Sequence, residues 1–186
     1  MIKEISVEEI NGEIQLVYSS NRRNSGIHHT PYDVTEHMVN ISLKKLDIKD
    51  DSIPEDLVVC DIAVGAGAFL LQYARVLAKI SRKDVGYILE RHVIGFDIDP
   101  EVLAICSLCF YLERNCPEQI FHYHLHEVDT ISSINSREII KTKIFEMMPK
   151  SKGTATITTG NPPYVRVKSD DFANLGFHSY KCRNLS

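Results

Sequence analysis

The sequence has no apolar run long enough to cross a membrane, which takes about 20 consecutive apolar residues. The N-terminus is polar and does not resemble a secretion signal, so we expect a cytoplasmic protein. The five cysteines are an odd number without the spacing of a disulfide framework, which is typical of reduced thiols. A net charge of −4 excludes a polycation that coats nucleic acid, although it does not exclude a local basic patch.

Internal repeats, low-complexity tracts and long linkers are absent as well. The chain has 186 residues, of which 44% are hydrophobic and 25% are charged, and these values suit one globular domain. Residues 1–29 are expected to form an N-terminal extension, in which Asn11-Gly12 favours a hairpin over residues 4–18.

A helix is predicted to start at Thr30-Pro31. Threonine is a good N-cap and proline is favoured at the first helical position. Val34, Met38 and Ile41 follow at helical spacing, so we expect this stripe to face the core.

From residue 57 onward, strand-like and helix-like segments alternate. The predicted strands are 57–62, 92–98, 120–128 and 154–159, and the predicted helices are 69–80, a helix that starts after Asp99-Pro100, and 136–148. Repeated β-α units favour an α/β fold with a parallel, Rossmann-like sheet flanked by helices. Ligands of such folds bind at the carboxyl ends of the strands.

A loop of small residues follows the first of these strands. Asp61 ends the strand, and Gly65 and Gly67 permit a tight turn and close approach of the backbone to a ligand. A plain strand-to-helix turn would need the same glycines. The acid at the strand end favours a small nucleoside cofactor over that alternative.

Three more acids follow the next two strands. Asp97 is placed to accept the hydrogen bonds of a ribose diol, whereas Asp99 precedes Pro100 and is better explained as a helix N-cap. Asp129 could accept an adenine amino group or could equally cap a turn.

The fourth strand is followed by Gly160 and an Asn-Pro-Pro-Tyr tetrapeptide over residues 161–164. An amide oxygen and a fixed carbonyl can accept hydrogen bonds from an exocyclic amine, and an aromatic ring can stack on the heterocycle. Asn-Pro-Pro is also a good turn sequence, and the tetrapeptide alone does not decide between the two interpretations.

Two patterns hint at a metal. His122, His124 and His126 share one face of the third strand, but apolar residues occupy the opposite face, so we expect a solvated histidine face. Cys106 and Cys109 lie within a predicted helix and lack a second pair. We predict no metal site.

Taken together, these motifs resemble the S-adenosylmethionine-dependent DNA adenine-N6 methyltransferases. The matching stretch runs from Gly26 to Tyr164, and the Thr-Pro segment at its start is similar to the branch found in type I and combined restriction–modification enzymes. The resemblance implies a class I methyltransferase sheet, S-adenosylmethionine as cofactor, and double-stranded DNA as partner.

The resemblance also implies a role for each matching position. The cofactor would be held by Thr30, Pro31, Asp61, Gly65, Gly67, Phe69, Asp97, Ile98 and Asp129. An adenine flipped from the duplex would be held by Asn161, Pro162, Pro163 and Tyr164. Among these, Asn161 and the Pro162 carbonyl would accept hydrogen bonds from N6, and Tyr164 would stack on the base.

Enzymes of this family continue well beyond the Asn-Pro-Pro-Tyr segment, with further strands and a DNA-recognition region. Here 22 residues follow Tyr164. We therefore expect residues 30–186 to be a partial catalytic domain, with the polar fourth strand at a sheet edge and a missing C-terminal part or second chain completing it. The alternatives are a protein-glutamine or RNA amino-methyltransferase, and a non-catalytic remnant that binds cofactor or a partner chain.

Overall fold

The computed structural model describes residues 2–10, 13–20, 30–45, 53–114, 122–130, 135–147 and 155–162. The strands are β1 (Ile2–Ile10), β2 (Glu13–Ser20), β3 (Leu57–Asp61), β4 (Val93–Asp97), β5 (His124–Glu127) and β6 (Ala155–Thr159). The helices are α1 (Tyr32–Lys45), α2 (Ala68–Ser81), α3 (Val85–Arg91), α4 (Pro100–Glu113) and α5 (Ser136–Met147). None of these helices is long and apolar enough to span a bilayer.

The N-terminal hairpin is confirmed. Strands β1 and β2 pair antiparallel in a sheet of their own, and Ile10 pairs with Glu13. This register leaves two residues for the connection, as the Asn11-Gly12 signal predicts, although those two residues lie outside the described part of the chain.

The second sheet has four strands in the order β5-β4-β3-β6, and all its pairs are parallel. Numbered along the chain, this is the 3-2-1-4 order of a Rossmann-like fold, so the predicted α/β class is confirmed. The order reverses between β3 and β6, and such a reversal is the position at which Rossmann-like folds bind their ligands.

Burial explains the composition of the strands. All five residues of β3 are buried between two layers of helices, as its continuous apolar sequence predicts. In the described residues β6 lies at a sheet edge, where Thr156 and Thr158 are exposed. The edge position accounts for the polar sequence of β6.

Helices cover both faces of this sheet. Residues of α1, α2, α3 and α4 form the main core with Leu57, Val59 and Val93. Helix α5 packs through Ile140 and Ile144 against the opposite face. Sequence patterns did not predict α3, a helix of seven residues whose N-cap Asp84 accepts a hydrogen bond from the Gly86 N–H at 2.7 Å.

The predicted packing face of α1 is wrong. Val34, Met38 and Ile41 are 41–46% exposed, whereas Thr35, Val39 and Leu43 are buried. Thr35 can be buried because its hydroxyl donates a hydrogen bond to the Tyr32 carbonyl at 2.7 Å. The face of α1 that packs against the core therefore cannot be identified by counting apolar residues.

The histidine face of β5 also differs from expectation. His122 is exposed, but His124 and His126 are partly buried, and the His126 ring lies 5.5 Å from that of Phe96. Burial lowers the pKa of both rings, so it favours neutral imidazoles. Within the described residues no group of histidine, cysteine and acidic side chains is arranged to hold a metal.

Candidate functional site

The carboxyl ends of all four parallel strands meet at one edge of the sheet, and hydrogen bonds join the loops that follow them. The Val64 N–H donates to the Phe96 carbonyl at 2.9 Å, and the Val128 N–H donates to the Asp97 carbonyl at 2.9 Å. The Thr130 hydroxyl donates to the Ile62 carbonyl at 2.7 Å. The loops after β3, β4 and β5 are thereby held as one unit.

The two glycines of the loop after β3 serve different purposes. Gly65 has φ +56°, and no neighbouring atom lies within 4 Å of the point that a Cβ would occupy, so its conformation favours glycine while the space beside it is open. Gly67 has φ +90°, and a Cβ there would lie 2.8 Å from both Cys106 Sγ and Phe110 Cε1. Gly67 thus permits close packing of α4, and Gly65 leaves room for a ligand.

Asp97 fixes this loop through both carboxylate oxygens. Its Oδ2 accepts a hydrogen bond from the Gly65 N–H at 3.0 Å, and its Oδ1 accepts one from the Asp99 N–H at 3.1 Å. Each carboxylate oxygen has two lone pairs, so these bonds leave acceptor positions for ribose hydroxyls. The predicted cap is confirmed, because Asp99 Oδ1 accepts from the Glu101 N–H at 3.0 Å.

The remaining predicted cofactor residues differ in exposure. Ile98 is 60% exposed directly after Asp97, which suits an apolar contact with a ligand. Asp129 is partly exposed in the loop after β5. Phe69 is only 4% exposed, so its ring lies in the protein interior. The cofactor roles of all three stay predictions.

Asp61 is a buried carboxyl group at the centre of the site. It is 1% exposed, and its Oδ1 accepts a hydrogen bond from the Ala63 N–H at 2.9 Å. Burial raises the pKa of Asp61 to about 7, the Ala63 hydrogen bond opposes this rise, and the nearby charge of Asp97 adds to it. The site therefore contains a carboxyl group that titrates near neutral pH.

The loop after β6 approaches Asp61 closely. Gly160 has φ +139°, and a Cβ at this position would lie 2.6 Å from Asp61 Oδ1. Only glycine allows the backbone to pass so near the carboxyl group. This contact places the next residue, Asn161, beside the loop after β3.

Asn161 is held by a residue that lies 131 positions away in the sequence. Its Nδ2 donates a hydrogen bond to the Thr30 hydroxyl at 3.1 Å. The bond fixes which way the amide points and does not use Oδ1, which can accept a hydrogen bond from a ligand amine. Pro162 is exposed in the same loop, and Pro163 and Tyr164 lie outside the described residues.

The start of α1 corrects the sequence prediction by one residue. The Thr35 N–H donates to the Pro31 carbonyl at 3.1 Å, and the helix begins at Tyr32, so Pro31 rather than Thr30 is the N-cap. The Thr30 hydroxyl is consequently available for Asn161.

Sequence reasoning missed two residues at this site. Thr130 connects the loops after β5 and β3, and the Tyr73 hydroxyl in α2 is hydrogen-bonded to the Ser42 hydroxyl in α1 at 2.6 Å. A hydroxyl in a loop and a tyrosine in a mostly apolar helix carry no local signal of such contacts.

Residues 14–178 match the family described as N-6 DNA Methylase. The chain belongs to this family. The match covers most of the sequence and includes every residue of the site described above. A comparison with curated proteins gave no match.

Solved structures share the fold. The chain is similar to a protein in the cryo-EM structure of the DrdV–DNA complex, with a TM-score of 0.53, 18% identity, and coverage of 84% of this chain and 16% of that one. It is also similar to the ATP-dependent type ISP restriction-modification enzyme LlaBIII bound to DNA, with a TM-score of 0.54, 19% identity, and coverage of 80% and 11%. The chain thus spans less than a fifth of the length of either structure.

Proposed function

We propose that this family member provides the cofactor-binding and target-base-binding part of a site-specific DNA adenine-N6 methyltransferase of a restriction–modification system. Its cofactor would be S-adenosylmethionine, and its substrate would be an adenine flipped from double-stranded DNA. The observation that carries the proposal is the Asn161 amide, oriented by Thr30 at the strand edge where Rossmann-like folds bind ligands.

The residues at this edge fit the proposed cofactor. The open space beside Gly65 allows close approach of a cofactor. The acceptor positions of Asp97 suit the ribose of that cofactor, and the exposed side chain of Ile98 suits its adenine ring. The proposed set of cofactor-binding residues also includes Thr30, Pro31, Asp61, Gly67, Phe69 and Asp129. When bound, S-adenosylmethionine supplies an activated methyl group.

The chain's own contribution would be positioning and electrostatics. The N6 lone pair of adenine is delocalised into the ring, which makes N6 a poor nucleophile. Asn161 Oδ1 and the Pro162 carbonyl would accept hydrogen bonds from the two N6–H groups and favour a tetrahedral, more nucleophilic nitrogen. Tyr164 would stack on the flipped base, and the rigid Pro163 would hold this arrangement.

The proposed enzyme is cytoplasmic, and its DNA-recognition region lies on another segment or on a second chain. The DNA-recognition region is supported by the two DNA complexes above, whose chains are several times longer than the stretch matched here.

The decisive variant is Asn161→Ala. We expect methyl transfer to duplex DNA to be abolished, because the variant lacks an acceptor for N6, while calorimetry should show nearly unchanged affinity for S-adenosylmethionine. Asn40→Ala, which alters an exposed asparagine of α1, is the matched control and should retain both properties.

Three results would overturn the proposal. Equal loss of transfer and cofactor binding in Asn161→Ala would remove the assigned role of the amide. Absence of S-adenosylmethionine binding by the wild-type chain would favour a non-catalytic remnant. Methylation of a protein or RNA in preference to duplex DNA would assign a different amine substrate.

A further inference from the structure

Thr130 joins the loops of two strands that are not neighbours in the sheet. Its hydroxyl donates a hydrogen bond to the Ile62 carbonyl at 2.7 Å. Thr130 follows β5 and Ile62 follows β3, whereas β4 lies between these two strands. The bond therefore carries the loop after β5 across the end of β4, over two strand spacings of about 4.8 Å each.

Gly95 in β4 shows how closely the elements on either side of this strand approach each other. A Cβ at Gly95 would lie 2.9 Å from both Leu125 Cδ2 in β5 and Val64 Cγ2 in the loop after β3. Both side chains thus extend over β4, and the lack of a side chain at Gly95 makes room for them. The Thr130 hydrogen bond adds a polar link between the same two parts of the chain.

Asp129 lies between two anchored residues. On one side the Val128 N–H donates to the Asp97 carbonyl at 2.9 Å, and on the other side the Thr130 hydroxyl donates to the Ile62 carbonyl. These two carbonyls belong to different parts of the proposed cofactor site, since Asp97 ends β4 and Ile62 follows β3. The two anchors therefore fix the backbone of Asp129 relative to both loops.

We propose that Thr130 is a positioning residue whose hydroxyl holds the loop after β5 on the Ile62 carbonyl and thereby places Asp129 to accept a hydrogen bond from the adenine amino group of the cofactor. The consequence for cofactor binding rests on the function proposed above, whereas the link between the two loops does not. The hydroxyl group is what the role requires. Serine should therefore replace Thr130, whereas valine, which has the shape of threonine but no donor, should not.

The direct test is hydrogen exchange of backbone amides in Thr130→Val without cofactor. Losing one hydrogen bond of ordinary strength corresponds to roughly fivefold faster exchange. We expect this acceleration in the peptide containing Val128 and Asp129, with little change in β4. Thr142→Val is the matched control, because the Thr142 hydroxyl also donates to a backbone carbonyl, that of Glu138 at 2.8 Å on the exposed side of α5. This control should leave the peptide unaffected.

Two further variants keep the test informative if Thr130→Val is poorly folded. Thr130→Ala also removes the hydroxyl and should accelerate exchange in the same peptide, whereas Thr130→Ser keeps the donor and should exchange like the wild type. Unchanged exchange in Thr130→Ala, or equal acceleration in the serine and alanine variants, would overturn the proposal.

Calorimetry with S-adenosylmethionine separates positioning of Asp129 from general stability. We expect the affinity to fall roughly fivefold in Thr130→Val and to be retained in Thr130→Ser and Thr142→Val. When Asp129→Ala has already removed the acceptor, adding Thr130→Val should cause little further loss, because both changes act on the same contact with the cofactor. Additive losses would show that Thr130 does not act through Asp129.

The two measurements also distinguish this inference from the proposed function. If the wild type binds S-adenosylmethionine and Thr130→Val binds it equally well, the positioning role fails and the proposed function stands. If exchange accelerates in Thr130→Val but the wild type does not bind S-adenosylmethionine, the link between the loops stands and the proposed function fails.

Discussion

At the scale of single residues, the site depends on one carboxyl group and one glycine that must accommodate each other. Asp61 is almost fully buried, and the Gly160 backbone passes so close that a Cβ would lie 2.6 Å from its Oδ1. Sequence patterns marked both residues, but as separate motifs. Their contact joins the proposed cofactor loop to the proposed base-binding loop.

The raised pKa of Asp61 predicts a pH-dependent stability. Its pKa is about 7 in the folded chain and about 3.9 in an unfolded one. The folded state therefore holds a proton that the unfolded state has lost, and this contribution to stability falls as pH rises from about 4 to about 7. Asp61→Asn lacks the titration, so its stability relative to wild type should increase over this range and level off above it.

Urea unfolding of both proteins without ligand at several pH values between 4 and 8 measures this difference, because other titrating groups are common to both. We expect the difference to grow by up to a few kcal/mol. A difference that stays constant with pH would show that Asp61 titrates normally.

Gly160→Ala should destabilise the chain more than Gly65→Ala. Both positions have positive φ, which strains alanine, but only at Gly160 would the new Cβ meet another atom. We expect a loss of about 1 kcal/mol at Gly65 and about 1–3 kcal/mol at Gly160, measured by urea unfolding. Equal losses would mean that the loop moves away from Asp61 without cost.

At the scale of elements, the sequence predicts the central sheet better than the helices around it. The run at Leu57–Asp61 is apolar throughout because both faces of β3 are covered, whereas a strand with one solvated face would alternate apolar and polar residues. Helix α3 was missed because it has only seven residues and includes Gly86, a poor helix former. The face of α1 was mispredicted because its buried Thr35 is polar and its exposed Met38 is not.

The packing face of α1 can be tested by removing methyl groups from each side. Val39 is 0% exposed and Val34 is 41% exposed. Val39→Ala should lower the free energy of unfolding by about 2 kcal/mol, whereas Val34→Ala should change it by less than about 0.5 kcal/mol. Thermal or urea unfolding provides the measurement, and the reverse order would restore the face predicted from the sequence.

At the scale of the whole molecule, the site consists of segments that are distant in the sequence. Thr30 and Asn161 are separated by 131 positions, and no local pattern indicates that their side chains meet. The order of the motifs in the sequence identified the loops after β3 and β6 and the family to which the chain belongs. The hydrogen bonds of Tyr73, Thr130 and Thr30 could not be predicted, because they depend on how helices and strand ends pack in three dimensions.

The order of the strands has a consequence for how the chain folds. Strands β3, β4 and β5 pair with their neighbours in sequence, whereas β6 returns across about a hundred residues to pair Leu57 with Ala155. Forming such a distant contact requires closing a long loop, so we expect it to come late, and during synthesis β6 is also the last of these strands to leave the ribosome. The loops of β3 and β4 can therefore form before Asn161 arrives. In a nascent chain, we expect the proposed cofactor pocket to exist for a time without the amide proposed to bind the target base.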